Sequence, residues 1–203
     1  MAVDERRELL LDAALAVMSR EGVAAATTRA IVAEAGMPLA SFHYCYRSRD
    51  ELMAELIGRV VSNEANAVLD AMAAGARDDS GPPQERLRAL LRRGSRGYLA
   101  HVAANAGEEL ALNELNHLAL RTPALAELAV EQFRTYYRAA EQIVIAAGHA
   151  SGVTWTQPLP LLARLVTVGI HGATACWLVD RDDEATLATL DAVSDQLVAS
   201  TKA

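Results

Sequence analysis

Apolar residues recur along most of this chain at intervals of three and four, the spacing of one helix face, while sustained period-two alternation is missing. Leu10, Ala13, Ala14, Val17 and Met18 form the inner face of a first helix, which Gly22 closes. Thr27 and Thr28 offer an N-cap to a short helix running through Glu34. Gly36 breaks that helix, and Pro38 opens another short one reaching about Tyr44. Ser48-Arg49-Asp50-Glu51 reads as a capping box. It starts a long helix with Leu52, Leu56, Ile57, Val60, Val61, Val68, Leu69 and Met72 on its apolar face, ending near Ala76. The segment Arg77-Asp78-Asp79-Ser80-Gly81-Pro82-Pro83 reads as a loop. Further helices are predicted at about 83–105, 107–121, 123–148, 159–179 and 183–200. Thr122-Pro123 serves as the cap pair of the third of these, and Gly148 as its stop.

Composition supports this reading. About half of the 203 residues are apolar, yet only 4% are aromatic, and Ala and Leu dominate, a mixture that favours helix over strand. The predicted fold class is therefore all-α, with about nine helices: an N-terminal three-helix domain over residues 1–50 and a helical body over 51–203. The chain is long enough to bury a core without disulfide or metal staples. Cys45 and Cys176 lie far apart in no CxxC pair, and the first residues carry Asp4, Glu5, Arg6, Arg7 and Glu8 rather than a signal-peptide pattern. Both features predict a cytoplasmic protein. Leu159 to Val179 approaches membrane-span length, but Arg164 and His171 interrupt it. An Arg at the centre of a span costs about 2.5–3.5 kcal/mol, so a buried interface helix is the better reading and no membrane partner is expected.

Net charge is −7, and residues 1–50 carry six Arg and no Lys against seven acids. Bulk charge thus gives no support to nucleic-acid binding. Local geometry does. Two short helices joined by Ala35-Gly36-Met37-Pro38 suit a helix-turn-helix, whose second helix enters the major groove. Gly36 tolerates the positive φ of a steep crossing, Ala33 and Ala35 allow close approach, and Phe42 points inward from the second helix.

The run Thr27-Thr28-Arg29-Ala30-Ile31-Val32-Ala33-Glu34-Ala35-Gly36, followed by Phe42-His43-Tyr44-Cys45-Tyr46-Arg47-Ser48-Arg49-Asp50-Glu51-Leu52, resembles the head of the TetR family of repressors. The resemblance covers roughly residues 6–60. It implies that Thr28 and Arg49 touch phosphates at helix starts, and that Leu39, Ser41 and Tyr44 face the groove. His43 stands where the family usually has a phosphate-contacting Tyr, Tyr46 where it usually has Phe, and Leu39 where Lys is frequent. Arg, Asn and Gln are absent from residues 38–46, so phosphate contacts, DNA shape and apolar contacts are expected to matter more than bidentate base reading.

In the body, Leu162, Leu165, Val166, Gly169, Ile170, Ala173 and Trp177 line one helix stripe, the expected dimer interface, against the alternative that they fill the monomer core. The resemblance implies that the last two helices of each subunit pair into a four-helix bundle. Tyr98, His101, Asn105, Glu109, Asn113, His117, Phe133, Tyr136 and Tyr137 supply the inventory of an apolar effector pocket with a few polar groups. A polar helix stripe such as 109–117 is more often a solvated face than a pocket wall. Arg86, Arg88, Arg92, Arg93 and Arg96 spread around a helix as a solvated face would. No Gly-rich phosphate loop, nucleophile elbow or HExxH is present, and His101, His117 and His171 belong to no metal-binding motif, so no catalytic residues, cofactor or metal are expected. The expected function is a DNA-binding transcriptional regulator, a repressor released from a pseudo-palindromic double-stranded operator by an unidentified small-molecule effector and acting as a homodimer. The alternatives are control by a protein partner, or a helical enzyme with a vestigial head.

Overall fold

A computed structural model of the protein describes residues 2–74 and 81–202. The predicted end of the long helix near Ala76, and Arg77–Ser80 of the predicted loop, lie outside the described residues. Nine α-helices occur among those described: α1 (Val3–Glu21), α2 (Thr28–Glu34), α3 (Leu39–Cys45), α4 (Arg49–Ala74), α5 (Pro83–Ala104), α6 (Ala106–Arg121), α7 (Ala126–Ser151), α8 (Leu159–Asp180) and α9 (Asp183–Ala199). By packing, the chain forms two compact units: residues up to Val60 with Asn105–Phe133, and Val61–Ala104 with the residues from Arg134 onward.

In the first unit, local signals fix the helix ends. Gly22 stops α1 at φ 87°, its N–H donating to the Met18 carbonyl at 2.9 Å. A 3-10 turn, Val23–Ala25, follows. Thr27 Oγ accepts the Ala30 N–H at 3.2 Å, and Gly36 turns the chain at φ 63° between α2 and α3. At the start of α4, Ser48 Oγ accepts the Glu51 N–H at 3.1 Å, whereas the Glu51 carboxylate takes the Arg47 N–H at 2.8 Å. The capping box therefore reaches one residue further back than its usual form. Leu10, Leu11, Ile31, Phe42, Leu52, Met53 and Leu56 are fully buried here, each contributing about 1.5–3 kcal/mol of apolar transfer energy. Arg7 braces the assembly: it pairs through both carboxylate oxygens with Glu55, donates to the Cys45 carbonyl at 2.7 Å, and stacks over Tyr46 with 4.3 Å to the ring centroid. From α6, Glu114 accepts the Val23 N–H at 3.0 Å.

The second unit is built on α5, α8 and α9, with the later part of α7. Arg88 pairs with Asp195 at 2.8 Å and Arg92 with Asp191 at 3.3 Å, which ties α5 to α9. Arg86 donates to the Ser151 carbonyl at 2.7 and 3.1 Å. Gly148 does not stop α7, which continues to Ser151; the turn comes at Gly152, with φ 77°. Gly148 is instead the seat of Trp155, whose Nε1 would lie 2.5 Å from any Cβ there. Pro123 opens a 3-10 turn, Pro123–Leu125, and α7 begins after it at Ala126. Two residue pairs that periodicity did not predict, β1 (Thr154–Trp155) and β2 (Thr201–Lys202), form a short antiparallel ladder.

Candidate nucleic-acid interface and ligand cavity

Helix α3 divides sharply between its two faces. Phe42 and Cys45 point into the core, while Leu39, Ala40, His43 and Tyr44 are exposed, Tyr44 at 64%. Ser41 is half-buried. The Arg6 guanidinium lies 5.4 Å from the Tyr44 ring centroid, which puts a cation against this outward aromatic. Tyr46 is a core residue, with its ring 5.6 Å from Phe42. Burial, and next the Glu55 charge, push its phenol pKa well above the ordinary range, so Tyr46 stays neutral.

Thr28 is the first residue of α2 and is half-buried. Arg49, the first residue of α4, does something its sequence position did not announce. Its Nε donates to the Ala26 carbonyl at 2.7 Å and its Nη2 to the Val23 carbonyl at 2.6 Å. Burial lowers its pKa below the usual guanidinium value, with Asp50 opposing. The Val23 peptide is thus held from both ends: its N–H by Glu114, its carbonyl by Arg49. Arg29 and Arg47 are exposed, and sequence reading passed over both as phosphate partners. Arg20 is taken into an exposed ion pair with Glu34 at 2.9 Å, which lowers the Glu34 pKa.

The second unit holds a cavity enclosing about 30 Å³, lined by Glu64, Tyr98, Tyr136, Thr167 and His171 among apolar side chains. A neighbouring cavity of about 50 Å³ shares Val68, Tyr98, Ile143, Val166 and Ile170 with it. The Tyr98 and Thr174 hydroxyls are 2.6 Å apart. His171 meets Tyr136 edge-on at 4.3 Å, and its Nδ1 lies 3.0 Å from the Thr167 carbonyl. Of the pocket residues expected from sequence, Tyr98 and Tyr136 come together here. Tyr137 is half-buried with the Arg164 guanidinium 5.2 Å from its ring centroid. His101 is half-buried near the end of α5. In the first unit, Glu109 is buried, and Asn105 and Phe133 are half-buried. Asn113 donates to the Glu109 carbonyl at 3.0 Å, and His117 Nδ1 lies 2.9 Å from the Asn113 carbonyl. Both side chains therefore bond back along their own helix. Glu64 was missed because Ser62-Asn63-Glu64 reads as solvated chain; only tertiary packing shows it to be buried.

The stripe expected to form a dimer interface is turned largely into the protomer. Leu162, Val166, Ala173 and Trp177 are buried within the protomer, and Leu165, Gly169 and Ile170 are half-buried. A Cβ on Gly169 would sit 2.6 Å from Val193 Cγ2, so the close crossing that this glycine permits is with α9 of the same chain. The exposed large apolar residues of α8 are Leu161, Val168 and Val179. Beside Val168, a shallow groove runs between Gly172 and Cys176 of α8 and Ala185 and Thr189 of α9. Helix α8 is long and apolar enough to cross a membrane, and its buried residues belong to the packed face just described. Both cysteines are free, and among the described residues no three His, Cys, Asp or Glu side chains are grouped as a metal site.

Residues 10–56 match the family model described as bacterial regulatory proteins, tetR family. The nicotine-responsive helix-turn-helix transcriptional repressor HdnoR of Paenarthrobacter nicotinovorans is 29% identical over 183 residues, covering 88% of this chain and 87% of that protein. A TetR-family regulator from Mesorhizobium loti superposes with a TM-score of 0.71 at 14% identity, covering 100% of both chains. FadR of Bacillus subtilis, solved in complex with stearoyl-CoA, superposes with a TM-score of 0.64 at 13% identity, over 95% of this chain and 98% of that one. The outward face of α3, the matched head and the likeness along the chain agree: residues 10–56 carry a head of the bacterial regulatory proteins, tetR family, and the chain as a whole is similar to a helix-turn-helix transcriptional repressor.

Proposed function

We propose that the protein is a one-component cytoplasmic repressor that binds a pseudo-palindromic operator as a homodimer and leaves it when a small molecule occupies the second unit. The observation that carries this reading is the exposed Leu39, Ala40, His43 and Tyr44 surface on α3, in a head whose core needs none of these side chains. Leu39, Ser41, His43 and Tyr44 meet the major groove, and Thr28 meets phosphate at the α2 N-terminus, where helix amides favour anions. Arg49 positions the turn before α2 and has Nη1 left for a phosphate beyond its two bonds to carbonyls. Arg29 and Arg47 add exposed cations. Dimerisation covers Leu161, Val168 and Val179, which are 54%, 63% and 86% exposed in the protomer. HdnoR responds to nicotine and FadR was solved with stearoyl-CoA, and the cavity of the second unit is the counterpart offered here for a ligand.

The test is a mobility shift on the DNA upstream of the protein's own gene, titrated with salt. The proposal expects a discrete complex with two protomers, displaced by excess specific DNA but not by random DNA. Retardation that random DNA abolishes equally well would refute it.

A further inference from the structure

We infer that Glu114 of α6 is a positioning residue for DNA binding: with Arg49 it fixes the turn from which α2 starts, an inference that rests on the DNA-binding reading above. Only residues 22–27 separate α1 from α2, so the placement of that turn sets the placement of the helix-turn-helix. Val23 is fully buried, and its N–H donates to the Glu114 carboxylate at 3.0 Å. Its carbonyl accepts from Arg49 Nη2 at 2.6 Å, and the Ala26 carbonyl accepts from Arg49 Nε at 2.7 Å. Each backbone group of Val23 is therefore held by a side chain of a different helix, an acid on the N–H and a guanidinium on the carbonyl. Hydrogen bonds with a charged partner are about twice as strong as neutral ones. A buried N–H that loses its acceptor also bears the cost of its own desolvation.

Glu114 is itself exposed, and an exposed acid is ordinarily a solvated one. Its surroundings take it out of that class. The carboxylate lies over Gly22, where a Cβ would meet its two oxygens at 3.1 and 3.2 Å. Gly22 has φ 87°, a conformation glycine adopts freely, so the residue that ends α1 also leaves room for the acid. Further back on α6, a Cβ on Gly107 would lie 2.9 Å from Ser19 Cβ, so the helix also approaches the last turn of α1 closely. Helix α6 thus meets the head at both Ser19 and Val23. It lies outside the matched residues 10–56, so a helix that is no part of the head motif sets part of the head's geometry. A shift of α6 by about 1 Å would carry the 3.0 Å bond past hydrogen-bond range and release the turn before α2.

The full-length wild type, Glu114→Asp and Glu114→Gln are titrated with the DNA upstream of the protein's own gene and with random-sequence duplex, at a temperature where circular dichroism shows each folded. Asp keeps the charge and shortens the reach by one methylene, whereas Gln keeps the reach and an accepting oxygen without the charge. A positioning role predicts that Asp weakens both complexes by about fivefold or more with the salt slope unchanged, and that Gln stays within about twofold of wild type. Weakening by both variants upholds the role and adds the charge to it. A solvated acid gives the reverse pattern: Asp binds like wild type, and Gln binds more tightly because a negative charge near the phosphates has gone. That pattern, or wild-type affinity in both variants, would overturn the inference. If Asp does not fold, the nearly isosteric Gln decides alone, tighter binding overturning the inference and unchanged or weaker binding upholding it. Absence of any wild-type complex with either DNA would overturn the DNA-binding reading instead.

Discussion

Replacing Arg49 with Met separates two roles that sequence position alone would merge. A cation at a helix N-terminus is mildly unfavourable unless an anion meets it, and a phosphate is the obvious candidate. In the structure the compensating partners are the Val23 and Ala26 carbonyls, at 2.6 and 2.7 Å. Hydrogen bonds involving a charged group contribute about 1.5–3 kcal/mol each, so the pair is worth at most about 3–6 kcal/mol. The guanidinium is half-buried, and its desolvation offsets part of that gain. A net loss of about 2–3 kcal/mol is expected for Arg49→Met, and about half of it for Arg49→Lys, because an ammonium cannot fork between two carbonyls. With an m-value of about 2 kcal/mol/M, the Met variant should unfold at about 1–1.5 M less urea. DNA affinity should fall for all sequences alike, since the turn that Arg49 holds leads into α2. The salt dependence decides the matter. If Arg49 is chiefly a brace, the slope of log K against log salt is unchanged. Two phosphate contacts per dimer would instead reduce that slope by about 1.8. A Met variant with wild-type stability and a reduced slope would refute the brace and restore the phosphate contact as its main role.

Glycines 169 and 172 should respond oppositely to Ala. Gly169→Ala drives a Cβ to 2.6 Å from Val193 and should lower stability by about 1–3 kcal/mol, whereas Gly172 has open space and should tolerate the change, both read by thermal melts. Val168→Glu leaves the protomer core untouched and should yield monomers by light scattering; a persistent dimer would move the interface off this face of α8. His171 has its folded pKa lowered by burial, so the unfolded chain takes up the proton first. Its contribution is present above about pH 6.5, the unfolded value, and is lost as pH falls through and below it. The urea midpoint should therefore fall between pH 7.5 and 5.5 by more in wild type than in His171→Phe, and equal shifts would remove His171 as the cause.

The head was legible because its signals are local. Gly22, Thr27, Gly36 and Ser48 each mark a boundary through their own backbone or side chain, and each appears where the helices end or begin. The Arg49 brace was not legible, since its acceptors lie 23 and 26 residues away and become neighbours only in the folded unit. Helix α8 shows the limit of periodicity. It is apolar on nearly every side, so the pattern could not tell the inner Leu162–Val166–Trp177 face from the outer Leu161–Val168–Val179 one. Gly148 misled for a related reason: a glycine near a helix end reads as a stop, yet this one makes room for Trp155. The cavity was legible in its aromatics and not in its acid. Glu64 follows Ser62 and Asn63, and nothing short of tertiary packing distinguishes it from a solvated carboxylate.

Selection of bound fragments from random DNA, run in parallel with wild-type protein and Tyr44→Ala, tests the central claim most directly. Tyr44 is exposed on the outward face of α3 and supports no core contact that would cost the fold. The wild type should enrich a pseudo-palindrome whose half-sites lie about one helical turn apart, or a multiple of it, at physiological salt. Tyr44→Ala should enrich that sequence more weakly while keeping its affinity for random DNA. Fragments with no shared sequence in the wild-type pool, or an identical pseudo-palindrome recovered equally well by Tyr44→Ala, would contradict the account that α3 reads an operator through this face.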